Sequence, residues 1–354
     1  MMRIKKLFRS RRFLLSLLIL LAGAFYFFWT CVPSPLFRTP TSTVLEDRNG
    51  NLLGAIIAAD GQWRFPHNPN VPEKFRKAII QFEDKRFYEH PGIDVLAMSR
   101  AVRQNISSQK IKSGGSTLSM QVIRLSRKGK SRTLWEKVIE IIMAVRLEIS
   151  YSKSEILALY ASQAPFGNNV VGLDAAAWRY FGKNASQLSW AEAATLAVLP
   201  NSPSLVHLSK NRDALKKKRD FLLEKLLRSG AMDTFTCLLA KSEPLPDKPL
   251  PLPRLAPHLL ARTYLENFRN KNGALTVTKS TLKKDLQISV SNIIANHNKE
   301  LSGNGINNAA ALVVDVETGD VLAYVGNVNK PGEEYDSDVD IITSKRSPGS
   351  TLKP

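Results

Sequence analysis

Glu83 to Asp94, E-D-K-R-F-Y-E-H-P-G-I-D, is the stretch that decides the fold, and Gly114 to Gln121, G-G-S-T-L-S-M-Q, is its downstream counterpart. The first ends an apolar helical segment containing Ala78, Ile79, Ile80 and Phe82 with two adjacent carboxylates, Glu83 and Asp84. A carboxylate in apolar surroundings holds a proton more readily, which suits Glu83 to act as a base near neutral pH. Alone, the dipeptide fits better a solvated helix face where it pairs with Lys85 and Arg86 and contributes little. Phe87, His90, Gly92 and Asp94, at fixed offsets beyond it, favour a site. One histidine without a partner motif more often holds structure than catalyses, so His90 is assigned to holding the loop. The second stretch offers a glycine-permitted turn followed by hydroxyls at Ser116 and Thr117 and an amide at Gln121.

Upstream, Phe13 to Val32 is free of charge and long enough to cross a hydrocarbon core of about 30 Å as a helix. Arg3, Lys5, Lys6, Arg9, Arg11 and Arg12 precede it, so residues 1–12 form a basic tail expected in the cytoplasm and the rest is expected outside. The apolar run ends in Phe27, Phe28 and Trp29 rather than small residues, which favours an uncleaved anchor over a signal peptide. A chain of 354 residues with 44% hydrophobic content has room for two domains, and its formal charge of +19 calls for an anionic partner. The basic residues are dispersed and carry no nucleic-acid-binding motif, so a membrane surface or phosphorylated substrate is expected rather than nucleic acid. Cys31 and Cys237 are isolated and suggest neither a disulfide framework nor a metal site.

Residues 44–233 read as a mainly helical domain. Helical spacing of apolar residues predicts helices over Trp135 to Ile149, Ser154 to Ala161 and Ala191 to Leu199, the last stopped by Pro200. The run Lys210 to Lys218 reads as a solvated helix face, with an amphipathic segment, Phe221 to Leu227, after it. Residues 234–300 are expected to form a linker region, because prolines from Pro244 to Pro257 exclude a helix interior. Beyond it, Ala311 to Val316 and Val321 to Val325, joined by Glu-Thr-Gly-Asp, predict a β-hairpin.

The two opening stretches resemble the first two motifs of glycosyltransferase family 51, enzymes that polymerise lipid II into peptidoglycan. Leu159 to Lys183 resembles the family's fourth motif and Leu188 to Ser204 its fifth. The tail R-S-P-G-S-T-L-K-P and Ala164-Pro165-Phe166-Gly167 look like the penicillin-binding protein 1C branch of class A. The resemblance implies a lysozyme-like, mainly α, membrane-anchored glycosyltransferase domain, then an incomplete α/β penicillin-binding transpeptidase domain over 301–354. It implies that Glu83 is the general base and Glu140 the second catalytic acidic residue. Asp84, Ser116, Thr117, Gln121, Arg124, Arg132 and Lys137 are the implied substrate-binding residues, with the cations gripping a pyrophosphate. A carboxylate beside a pyrophosphate makes sense chiefly with a bridging divalent ion, so Mg²⁺ or Mn²⁺ at Glu140 is expected and no organic cofactor. The implied partners are lipid II, the growing glycan strand, the membrane and other cell-wall synthesis proteins, at a bacterial cytoplasmic membrane crossed once.

Three positions depart from the family pattern: Glu136 where an arginine precedes Lys137, Ser162 in place of an asparagine, and Met120 in place of a glutamine. Glu136 reverses a charge near an anion site, which supports a second reading, a membrane-anchored lipid II-binding scaffold with weak catalysis. A lysozyme-like hydrolase fits less well, because Arg124, Arg132 and Lys137 suit a pyrophosphate leaving group better than a glycosidic oxygen needing an acid. Ser350 and Lys353 have S-x-x-K spacing, in which an amine activates a hydroxyl for acyl transfer. The later S-x-N and K-T-G motifs do not follow within this sequence, so acylation is not expected of it.

Overall fold

The computed structural model describes residues 2–108, 115–128, 130, 133–167, 169–200, 211–269, 277–328 and 335–345. In chain order these form α1 (Met2–Thr30), β1 (Thr43–Glu46), β2 (Leu52–Ile56), β3 (Trp63–Arg64), α2 (Glu73–Glu83) and α3 (Val95–Ser108). Then come α4 (Leu118–Ser126), α5 (Leu134–Ser150), α6 (Lys153–Gln163), β4 (Val170–Val171), α7 (Leu173–Phe181) and α8 (Trp190–Val198). The remainder is α9 (Arg212–Arg228), α10 (Thr234–Ser242), α11 (Pro257–Arg269), β5 (Val277–Lys279), α12 (Lys284–Ser302), β6 (Ala311–Val314) and β7 (Val321–Val325). The chain is helix-rich, and it divides into two compact units. One comprises residues 1–39, 67–167 and 188–247, the other 40–66, 168–187 and 248–354.

The first unit is all helical. In α1, Phe13–Thr30 is apolar and exposed, about 27 Å long at 1.5 Å per residue, and thus long enough to cross a membrane by length and composition. At its end Arg146 of α5 donates to the Trp29 carbonyl at 3.2 Å and stacks 4.3 Å over the Trp29 ring, so a cation–π contact fixes the end of α1 to α5. The buried alanines of α8 (Ala191, Ala193, Ala194, Ala197) present little bulk, which lets α2 pack closely through Phe75, Ala78 and Ile79. The lysine-rich run and the amphipathic segment predicted after it merge into α9, whose Leu215, Leu222, Leu223 and Leu226 are buried while Lys216 and Lys217 face solvent. Capping boxes start α6 (Ser152 with Glu155) and α8 (Ser189 with Glu192), each satisfying two otherwise unpaired N–H groups.

The second unit holds a three-stranded sheet in the order β2-β1-β5, with β1 antiparallel to β2 and parallel to β5, and the expected hairpin of β6 and β7, whose register shifts between Val313 and Val314. Its core gathers Leu45, Leu53, Ala256, Leu260, Leu282 and Tyr324. The stretch expected to be linker is largely folded: α10, α11, β5 and most of α12 lie between residues 234 and 300. The prolines do not leave a free spacer either, since Leu250 donates to the Arg179 carbonyl at 2.6 Å and Leu255 to that of Leu53 at 2.8 Å. Proline removes donors, yet the intervening leucines keep theirs and tie the segment to α7 through Leu250 and to the sheet edge at β2 through Leu255.

Gly92 bears directly on the site. Its φ of +92° disfavours any side chain, and a Cβ there would lie 2.7 Å from the Ala144 carbonyl oxygen of α5. Gly50 has φ +79° with nothing within 4 Å of a Cβ, so it isolates the backbone effect from the clash. Gly50→Ala should cost about 1 kcal/mol, and Gly92→Ala at least about 2 kcal/mol more, because backbone carbonyl cannot move aside. Urea unfolding of the two variants measures the difference, and equal losses would contradict the packing described.

Candidate active site

Helix α2 begins after Pro72, whose fixed φ suits a helix start, and ends at Glu83 where Asp84 turns to φ −155°. This turn sends the two carboxylates in different directions. Asp84 is buried and accepts from the Leu118 N–H at 2.9 Å and from His90 Nε2 at 3.0 Å, the geometry of a neutral or charged imidazole donating. It therefore joins the first sequence stretch to the N-terminus of α4, where an anion is favoured by the helix dipole. Glu83, only partly buried, accepts from Gln121 Nε2 at 2.8 Å. His90 in turn sits edge-on to the buried Phe87 ring, and its carbonyl accepts from Lys153 Nζ at 2.7 Å.

The second stretch starts α4. Thr117 is its N-cap: Oγ1 accepts from the Met120 N–H at 3.2 Å and donates to the Gly92 carbonyl at 2.6 Å, so this hydroxyl is committed to structure. Ser116 points elsewhere and accepts from Arg124 Nη2 at 3.1 Å and from Lys137 Nζ. Arg124 lies one turn beyond Gln121 on α4. Its guanidinium reaches Glu140 of α5 by Nε to Oε1 at 3.0 Å and Nη2 to Oε2 at 3.4 Å, and Lys137 Nζ lies 3.9 Å from Oε2. These groups line a cavity of about 470 Å³ with five cationic side chains, Arg124, Arg127, Lys128, Lys130 and Lys137, and two carboxylates, Glu136 and Glu140. Such a surface binds a compact polyanion.

Among the residues singled out from sequence, Glu83, Gln121, Ser116, Arg124, Lys137 and Glu140 are thus brought together along α4 and α5. Asp84 and Thr117 face inward and hold the scaffold. Arg132, Ser350 and Lys353 lie outside the described residues. Glu136 does not repel the site's ligand unopposed: Arg127 Nε and Nη2 both donate to its carboxylate, the latter at 3.1 Å. That hydrogen bond, reinforced by the guanidinium charge, holds Glu136 below its ordinary carboxylate range. Sequence reasoning missed Arg127, although its i+3 spacing from Arg124 already put the two on one helix face. It also missed His67, whose Nδ1 lies 3.1 Å from Ser162 Oγ, the hydroxyl standing where the family pattern has an amide. Tyr160 of α6 is a third: burial, and then the charge of Glu83, push its hydroxyl well above the ordinary range, while Arg124 opposes. The hydroxyl keeps its proton and has no hydrogen-bond partner among the described residues.

The divalent cation expected at Glu140 would meet a carboxylate already paired within the protein. Both of its oxygens already face Arg124 and Lys137, and the described residues contain no group of three His, Cys, Asp or Glu that could hold a metal ion.

A family model described as Transglycosylase matches residues 49–227, which include every described residue of this site. Penicillin-binding protein 1C of Escherichia coli strain K12 is 35% identical over 329 residues, covering 91% of this chain and 41% of its own. Penicillin-binding protein 1F of Bacillus subtilis strain 168 is 30% identical over 323 residues, covering 88% of this chain and 44% of its own. Penicillin-binding protein 1A of Pseudomonas aeruginosa is 32% identical over 240 residues, or 65% of this chain and 28% of its own. The chain spans less than half the length of each of these relatives. With Glu83, the Ser116 turn and the cation-lined cavity all inside the matched stretch, the chain belongs to the transglycosylase family of peptidoglycan glycosyltransferases, on the class A penicillin-binding protein branch that includes the 1C type.

Proposed function

We propose that this chain polymerises lipid II into β-1,4 glycan and releases undecaprenyl pyrophosphate. The observation that carries this is the spacing on α4: Gln121 holds the Glu83 carboxylate, and Arg124, one turn or about 4.5 Å along the axis, faces the cation-lined cavity. A base at the end of α2, held by one turn of α4, and a diphosphate cradle beside the next turn suit a displacement in which acceptor and leaving group flank one sugar carbon. The acceptor hydroxyl attacks the anomeric carbon and passes its proton to Glu83. The bond to the diphosphate oxygen breaks with its electron pair, and inversion at the carbon follows. Arg124, Lys137 and Ser116 stabilise the charge that develops on the diphosphate, so no acid is needed on that side. Glu140 keeps the two cations in place rather than touching the sugar.

The same reading puts the apolar helix α1 across a bacterial cytoplasmic membrane, with the basic residues 1–12 inside and both units outside. The catalytic domain spans about residues 44–233 with a lysozyme-like fold, and residues 301–354 begin a transpeptidase domain. Arg132 and, beyond the glycan and lipid, other cell-wall synthesis proteins belong to this proposal. Pairing of Glu136 with Arg127 removes the main ground for a non-catalytic scaffold, because the reversed charge is neutralised within the protein.

Full chain in detergent with labelled lipid II tests the proposal. Glu83→Gln should abolish polymer while leaving the melting temperature within a degree or two of wild type, since the amide keeps the shape but cannot take the proton. Equal polymer from both proteins would remove Glu83 as the base. Arg124→Ala should cost at least about 2 kcal/mol of transition-state stabilisation, measured as kcat/KM, and unchanged turnover would place the diphosphate elsewhere. Excess EDTA should leave most of the activity, since Arg124 and Lys137 occupy the oxygens of Glu140. Complete loss, restored by Mg²⁺, would mean that the carboxylate is released to a metal when substrate binds.

A further inference from the structure

Two arginine–glutamate rungs connect α4 and α5. Arg124 and Arg127 stand at i and i+3 on α4, and Glu140 and Glu136 at i+4 and i on α5, so the helices meet as antiparallel partners with like rungs. In each rung the carboxylate takes the edge of the guanidinium formed by Nε and Nη2. A guanidinium has five N–H groups in a planar fork, so the edge formed by Nη1 and Nη2 keeps hydrogens for a second anion. At Arg127 the contact on that edge is Met143 Sδ at 3.8 Å, a weak acceptor that an anionic oxygen would displace. Arg127 and Glu136 both line the cavity of about 470 Å³ that holds Arg124, Lys137 and Ser116.

Placement at the helix ends favours the pair. Arg127 caps the C-terminus of α4, where a cation is stabilised, and Glu136 lies in the first turn of α5, where an anion is. The Thr133 hydroxyl accepts from the Glu136 N–H at 3.1 Å and fixes that turn. A long side chain at the rim of a cavity would otherwise lose rotamer freedom on gripping a ligand, and the bidentate bond to Glu136 removes that cost beforehand.

We infer that Arg127 is a further anion-binding residue of this cavity, taking the diphosphate of the donor, and that Glu136 is its positioning residue. The inference rests on the proposed reaction for the identity of the ligand but not for the binding itself. The pair offers the diphosphate a held set of N–H donors without adding net charge to the cavity.

Calorimetric titration of the full chain in detergent with inorganic diphosphate tests it apart from turnover. Arg127→Gln should weaken diphosphate binding about tenfold, the scale of one charge-assisted contact, with an unchanged melting temperature. Arg127→Lys, which keeps the charge but loses the fork, should recover part of that loss. Glu136→Gln should weaken binding by a smaller factor despite adding a net positive charge, because the guanidinium is no longer held. In turnover assays Arg127→Gln should raise the KM for lipid II more than it lowers kcat. Diphosphate affinity equal to wild type in Arg127→Gln, or no diphosphate binding by wild type at all, would overturn the inference. Tighter binding in Glu136→Gln would overturn the positioning role. Normal diphosphate binding without polymer formation would refute the proposed reaction and leave the assignment of Arg127 standing.

Discussion

The buried Asp84 carboxylate is the contact on which the site depends. It leaves the end of α2, accepts the first N–H of α4 and binds His90, so the helix end, the loop after it and a helix start 34 residues on share one anion. Taking that charge out of water is costly unless its oxygens are hydrogen-bonded, and here each of them is. Because Asp84 is spent on structure, its neighbour Glu83 projects on the other side of the turn and meets Gln121 rather than the core. Thr117 repeats the device from the other direction by tying α4 to the Gly92 carbonyl. The chemistry of α4 is therefore registered against the end of α2 by two buried polar contacts, not by packing alone.

Electrostatics around the cavity follow from one pairing rule. Each arginine on α4 is matched by a glutamate on α5, and Lys137 adds a further cation beside Glu140. The carboxylates prevent the cations from repelling one another when no ligand is present, and the excess of five positive groups over two negative ones remains for an anion. Asp94 plays a comparable part below the site. Burial alone would raise its pKa, but the Ala97 N–H and Arg86 outweigh burial and hold it below the ordinary value. Its contribution to stability is thus complete above the ordinary carboxylate range and fades as pH falls through the depressed value.

Much of this was legible in the sequence. The helices α5, α6 and α8 and the hairpin follow from period and turn chemistry, and Gly319 at φ +73° occupies the turn as expected. Glu83, Ser116, Arg124, Lys137 and Glu140 could be named because the stretches that hold them resemble the motifs of glycosyltransferase family 51. What escaped were features set by contacts distant in sequence. Asp84 and Glu83 are adjacent and chemically alike, and only the helix end at residue 84 assigns one inward and the other to the site. Glu136 read as a charge out of place because its partner is nine residues away on another helix. The folding of residues 234–300 was hidden by prolines, whose lost donors say nothing about the leucine N–H groups between them. The strands β1 and β2 are short, and β1 pairs with β5 across most of the chain, a register that no local pattern encodes.

The account rests on a division of labour along α4: Gln121 holds Glu83, at the end of α2, for the proton, and Arg124 one turn further on faces the cavity for the diphosphate. A crystal structure of the chain soaked with inorganic diphosphate tests this most directly. The account predicts phosphate oxygens within hydrogen-bond distance of Arg124, Lys137 and Ser116, with the bond from Gln121 to Glu83 intact. Diphosphate bound elsewhere, or Glu83 swung into the cavity to pair with Arg124, would contradict it.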